Sequence, residues 1–223
     1  NGDGRLYGYN TDYAGFAYTA RRAGVDFAGR TVLVLGTGGT AGTVAAVARD
    51  SGAKRVLFAS RTGKGSALTY AQAAARRDVQ LILNASPAGM YPHGNTCLVD
   101  LANYPALEGV LDAVYNPLET VLLAQARARG IPCSNGLPML VAQAVYAAQH
   151  FTGCTVPGEQ AERVIADVRA EQANLVLIGM PSCGKTSLGK ACAKALGRPF
   201  VDLDAEIERR AGKPISAILQ PGS

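Results

Sequence analysis

The stretch Thr31-Val32-Leu33-Val34-Leu35-Gly36-Thr37-Gly38-Gly39-Thr40-Ala41 decides the fold. Its first five residues are a continuous apolar and β-branched run, the pattern of a strand covered on both faces in a parallel sheet. The next six fit G-x-G-x-x-A and run directly into a helical pattern, TVAAVARDSG. That placement, after a strand and at the opening of a helix, gives the motif its meaning. Gly36 permits the tight turn, Gly38 lets the backbone approach a pyrophosphate, and the small Ala41 lets helix and strand pack closely. The helix start also offers unpaired N–H groups and positive potential to an anion. Gly36, Thr37, Gly38, Gly39 and Thr40 are therefore a candidate phosphate cradle; the alternative is a glycine turn without a ligand.

The next strand, KRVLFAS, ends in Ser60-Arg61-Thr62. An NAD site usually places Asp or Glu there, roughly 20 residues beyond the turn, to take the ribose 2′-hydroxyl. Here Arg61 can pair with a 2′-phosphate and Ser60 or Thr62 can donate to it, so NADP is favoured over NAD. A solvated surface arginine is the competing reading. Further buried strands are expected at Leu81–Asn84 and Gly109–Asp112, and helices at about Thr120–Arg129 and Leu137–His150. The fold class is α/β, a Rossmann-type parallel sheet with helices on both faces. At the start, residues 1–10 read as a hairpin-like strand end, then Thr11 or Asp12 caps a helix running to about Ala23.

After a break near residue 152 and a charged helix from Glu159 to about Gln172, the alternation restarts. Strand 174–178, a second glycine turn, helix 187–196, strand 200–203 and helix 205–211 are expected. Gly179-Met180-Pro181-Ser182-Cys183-Gly184-Lys185-Thr186 satisfies G-x-x-x-x-G-K-[ST]. In such a loop backbone N–H groups cradle phosphates, Lys185 reaches the β/γ oxygens and Thr186 ligates Mg²⁺. Gly179, Ser182, Cys183, Gly184, Lys185, Thr186 and Ser187 are the expected ATP contacts. The start of a P-loop α/β domain thus follows the first sheet. Asp202 and Asp204 would share one face of a strand; capping of the following helix is their alternative role.

Composition narrows the function classes. The 22 Lys and Arg exceed the 17 Asp and Glu by a formal charge of +5, with no basic run, so no nucleic-acid partner is expected. No apolar run approaches a membrane span, and no membrane partner is expected. The five cysteines are odd in number and never spaced C-x-x-C, which argues for a reduced, cytoplasmic chain without a disulfide framework or zinc site. The chain begins without Met and stops soon after a short helix, so both ends read as cut from a longer polypeptide. Nothing in the sequence sets an oligomeric state.

Four segments carry a resemblance: Gly8-Tyr9-Asn10-Thr11-Asp12-Tyr13-Ala14-Gly15-Phe16, Asn84–Met90, Leu111–Thr120 and Asn135–Gln143. Over roughly residues 1–153 they resemble shikimate dehydrogenase in collinear order. The resemblance implies NADP-dependent, reversible reduction of 3-dehydroshikimate to shikimate. It implies that Asp12 pairs with the family's catalytic Lys and touches substrate hydroxyls. Tyr115 and Gln143 would contact the substrate, and Ala113 and Gly136 would line the nicotinamide with backbone. The family's Lys lies upstream of Asn1, so the piece alone is expected to bind cofactor without turnover. Ser60 stands where many members have Asn, and 61–84 is short, so a peripheral element is expected to be trimmed. Residues 174–219 resemble shikimate kinase, with Asp202 near Mg²⁺ and Asp204 on shikimate hydroxyls by similarity. The expected organisation is a substrate-domain remnant (1–23), the NADP domain (24–136), a returning helix (137–153), a linker (154–173) and a kinase start (174–223). Together these imply a bifunctional enzyme of chorismate and aromatic amino-acid biosynthesis. A non-catalytic nucleotide-binding module and a quinate/shikimate dehydrogenase are the alternatives.

Overall fold

The computed structural model describes residues 4–180 and 182–218. It divides into two units, Asn1–Gln172 and Ala173–Ser223. In the first, α1 (Thr11–Arg22) leads into β1 (Thr31–Leu35), α2 (Gly39–Asp50), β2 (Arg55–Ser60), β3 (Leu68–Thr69) and α3 (Tyr70–Ala74). β4 (Leu81–Asn84), β5 (Gly109–Asp112), α4 (Val121–Ala128), β6 (Cys133–Ser134), α5 (Leu137–Thr152) and α6 (Gly158–Gln172) complete it. The six strands form one parallel sheet in the order β3-β2-β1-β4-β5-β6. This is the Rossmann-like α/β fold, and the strand order reverses between β1 and β4, where such sheets open a ligand crevice.

β1 shows why its apolar run is unbroken. Val32 and Val34 pack with Phe16, Ala41, Val44 and Ala45 from α1 and α2. Leu33 and Leu35 point the other way, into Ala73, Leu122, Leu123 and Ala126 from α3 and α4. Alternation along the strand thus supplies two separate cores, and all five residues are buried. The peripheral pair β3 and α3 exists but is only two and five residues long, in line with the short 61–84 segment.

Several expectations require correction. Residues 1–3 of the hairpin reading lie outside the described residues, and 5–10 carry no strand, with Leu6 fully exposed. The cap of α1 is Asn10, whose Oδ1 accepts from the Tyr13 N–H at 3.1 Å, rather than Thr11 or Asp12. The charged helix expected within the linker 154–173 is α6, and its Ala161 and Ile165 are buried with Leu137 and Val141 of α5. Arg22 of α1 clasps α6 through two nitrogens on the Glu162 carboxylate, at 2.8 and 2.9 Å, and the Tyr18 hydroxyl donates to the same group.

The second unit contains α7 (Lys185–Leu196), α8 (Leu203–Ala211) and α9 (Ile215–Ile218). The expected strands 174–178 and 200–203 do not form. A strand has no local hydrogen bonds and exists only through a neighbour, and no ladder occurs among the described residues of this unit. Val176, Ile178 and Val201 are accordingly exposed. α8 begins at Leu203 with Asp202 as its cap, so Asp202 and Asp204 lie at a helix start and not on one face of a strand. The residues after Ile218, including Gln220–Ser223, lie outside the described residues. No helix among the described residues is long and apolar enough to cross a membrane.

Candidate functional site

Every candidate of the first unit sits at the carboxyl ends of the strands or on the two helices beside them. The turn after β1 is a bare backbone cradle. Gly36 has φ +107°, and a Cβ there would stand 3.0 Å from the Ala85 carbonyl, so the turn requires glycine. α2 starts at Gly38 with no side-chain cap, which leaves its first N–H groups unmade. A Cβ built on Gly38 or Gly39 meets nothing within 4 Å. The glycines therefore keep open a space that this chain does not fill. Thr37 is exposed and Thr40 half-buried at the rim, while Ala41 is fully buried against β1.

At the end of β2 the Ser60 hydroxyl accepts from the Gly63 N–H at 3.1 Å, which leaves its own hydrogen to donate. Arg61 and Thr62 are exposed, and Arg61 pairs with no carboxylate among the described residues. Burial raises the pKa of the nearby Tyr70 and the Arg61 charge draws it back. A free guanidinium therefore stands one strand over from the glycine turn.

Three polar residues that the sequence reading had left without a role organise the far side of the crevice. Asn84 and Asp112 end the paired strands β4 and β5 in register. Asn84 Nδ2 donates to Asp112 Oδ1 at 2.8 Å, the Val114 N–H donates to the same oxygen at 3.0 Å, and the Thr120 hydroxyl donates to Oδ2 at 2.7 Å. Asn84 Oδ1 also accepts from the Ser86 hydroxyl at 2.7 Å, which ties down the turn after β4. Asp112 is 2% exposed. Burial pushes its pKa up, while the hydrogen bonds from Thr120, Val114 and Asn84 pull it down. Asn135, likewise buried, donates to the Leu118 carbonyl at 2.8 Å and so fixes the loop after β5. The available signal was a single polar residue closing each of two buried apolar runs.

This network places Ala113 and Gly136 back to back. A Cβ on Gly136 would fall 2.0 Å from the Ala113 carbonyl oxygen, and the Gly136 N–H donates to the Val114 carbonyl at 2.9 Å. The wall there is main chain. Tyr115 follows, 41% exposed.

Asp12 and Gln143 come from different helices that cross at Gly15. A Cβ on Gly15 would meet the Met139 carbonyl at 2.7 Å and Gln143 Cβ at 3.2 Å. Asp12 lies one turn before that crossing, is exposed, and has no hydrogen bond or ion pair among the described residues. With Asn10 taking the cap, its carboxylate is free for a ligand.

In the second unit the glycine loop is formed around Gly179, Ser182 and Gly184, all at positive φ. Lys185 Nζ donates to the Gly179 and Met180 carbonyls at 2.8 and 2.6 Å and lies 3.7 Å from Cys183 Sγ. The Thr186 hydroxyl approaches Asp202 Oδ2 at 3.5 Å, which brings the two expected metal-side residues together. Ser187 follows on α7. Asp204 stands in the first turn of α8. Among the described residues no group of three His, Cys, Asp or Glu converges as a metal site.

Comparison with known proteins places this geometry. The chain is 34% identical over 177 residues to the NADP(+) shikimate dehydrogenase of Clostridium perfringens (strain SM101), covering 75% of this chain and 65% of that protein. It is 32% identical over 204 residues to the enzyme of the same name from Moorella thermoacetica, covering 83% of this chain and 68% of that relative. The chain belongs to the shikimate dehydrogenase family. It spans just under two thirds of the length of the first of these dehydrogenases. Shikimate 5-dehydrogenase from Thermus thermophilus, solved with NADP(H) and shikimate, superimposes with a TM-score of 0.64 at 29% identity, over 74% of this chain and 65% of that one. A shikimate kinase family model matches residues 181–222.

Proposed function

We propose that residues 4–172 bind NADP(H) at the carboxyl edge of the sheet and serve the reversible reduction of 3-dehydroshikimate to shikimate. The observation that carries this reading is the uncapped α2 N-terminus beside the unpaired Arg61. Open space at Gly38 and Gly39 fits a pyrophosphate on backbone N–H groups. Arg61, with the hydroxyls of Ser60 and Thr62, fits a ribose 2′-phosphate. The bound cofactor would supply the hydride. Around it the chain does two things: the main chain of Ala113 and Gly136 lines the nicotinamide end, and Tyr115, Gln143 and Asp12 contact the substrate. The free Asp12 carboxylate is suited to fixing a cationic acid beside the reacting carbonyl, since opposite charge at short range keeps that acid protonated and placed.

Titration by NADPH and NADH fluorescence tests the reading. NADPH should bind at least tenfold tighter than NADH, and Arg61→Leu should remove the difference by weakening NADPH alone. Equal binding of both by the unmodified chain overturns the role of Arg61 and the NADP assignment.

A second reading concerns residues 173–218. The pairing of Thr186 with Asp202, behind a lysine on the loop, favours a shikimate kinase-type site for ATP and Mg²⁺ in a bifunctional polypeptide. There Lys185 would exchange its two carbonyl partners for phosphate oxygens. Calorimetric titration with MgATP should show binding that Lys185→Ala removes; no heat from either protein sinks this reading.

A further inference from the structure

Asp112 is a buried carboxylate with three hydrogen-bond donors and no cation. Asn84 Nδ2, the Val114 N–H and the Thr120 hydroxyl all give hydrogens to it, and no ion pair reaches it among the described residues. The three accepted hydrogen bonds favour its charged form against the opposing effect of burial, and donors that are neutral dipoles leave its net charge in place. Its chain neighbours are apolar: Leu111 and Val114 are buried, and Cys97, which feels its charge, is a thiol whose pKa burial raises. The charge sits one residue before Ala113 and is wired by Val114 to the loop that Gly136 contacts.

We propose that Asp112 sets the balance between the two redox forms of the cofactor, its negative charge favouring the cationic oxidised nicotinamide over the neutral reduced ring. The inference rests on the cofactor placement proposed above. The oxidised ring carries one positive charge that the dihydro ring lacks, so an uncompensated carboxylate near it would attract the first and be indifferent to the second. Asp112 acts here through the field at the ring, as a positioning and tuning residue, and takes no part in proton or hydride transfer.

The test is the ratio of NADP⁺ to NADPH dissociation constants, measured by fluorescence and competition titration at neutral pH. Asp112→Asn and Asp112→Ser both remove the charge while differing in size and hydrogen bonding. Each should raise the NADP⁺ constant relative to the NADPH constant by about fivefold or more, in the direction set by the loss of one negative charge. Thr120→Val leaves the carboxylate in place while removing one of its donors; it should weaken both forms together and move the ratio much less than either neutral variant. A ratio that stays constant in a folded neutral variant, or that moves equally in Thr120→Val, overturns the proposal, as does failure of both neutral variants to fold while Thr120→Val folds. If the unmodified chain binds neither form, the cofactor placement itself fails, an outcome distinct from an unchanged ratio.

Discussion

Gly15 and Gln143 touch backbone to backbone: a methyl group on the first would lie 3.2 Å from both the amide nitrogen and Cβ of the second. The absence of a side chain at one position of α1 thus sets where the amide on α5 stands relative to Asp12. Gly→Ala within an exposed helix normally stabilises by about 1 kcal/mol. Here the sign should reverse. Gly15→Ala should destabilise the first unit by about 1–3 kcal/mol, because the Met139 carbonyl cannot yield without moving α5. Urea unfolding of the two proteins decides it, and a gain in stability would show that the helices can part freely.

Gly38→Ala separates a ligand requirement from a folding requirement. The residue has φ −80°, which any amino acid adopts, and an added methyl meets no protein atom within 4 Å. The unfolding midpoint should hold within about 0.5 kcal/mol of the parent. NADPH and NADH affinities should both fall by tenfold or more, since the methyl occupies the pyrophosphate's approach. Undiminished affinity would place the ligand elsewhere.

Glu162 gives acid sensitivity of known sign. The Arg22 hydrogen bond, followed by that of Tyr18, holds its pKa below the usual 4.5. Folding stability from this group is complete above the unfolded value and is lost as pH falls through the lower folded value. Glu162→Gln should therefore lower the thermal midpoint at pH 7, with a smaller gap to the parent at an acidic pH below 4.5. A constant gap at both pH values would mean that the side chain acts by packing alone.

Tyr104 is completely buried, and its hydroxyl has no hydrogen-bond partner among the described residues. Desolvation drives its pKa to about 12. An unpaired buried hydroxyl is a standing cost. Tyr104→Phe should stabilise by about 1 kcal/mol in denaturant unfolding; a loss instead would reveal a bond made by that oxygen.

The sheet's centre was legible because β1 joins an unbroken apolar run to a glycine turn, and β4 and β5 are similar runs of four. β3 and β6 are two residues each, too short for any periodicity to announce them. Residues 174–178 carry the same apolar signature as β1 yet form no strand, because such a run records what could be covered and not what covers it. Asn10, Thr11 and Asp12 are all good capping residues, and only the backbone turn at Asn10 chose among them. Arg61 could be read directly, since its meaning depends on the end of one strand. Asn84 and Asp112 could not, since their meeting depends on the pairing of strands 28 residues apart.

Among its described residues the second unit has helices but no ladder, and only Gly189 is buried within a helix. Cooperative melting needs a shared interior, so the heat absorbed when this polypeptide is warmed should come from the sheet-bearing part alone. Residues 173–218 should exchange their amide hydrogens within seconds at temperatures where β1 and β4 hold theirs for hours or longer. A single transition temperature quoted for the chain would therefore describe three quarters of it and be silent on the rest.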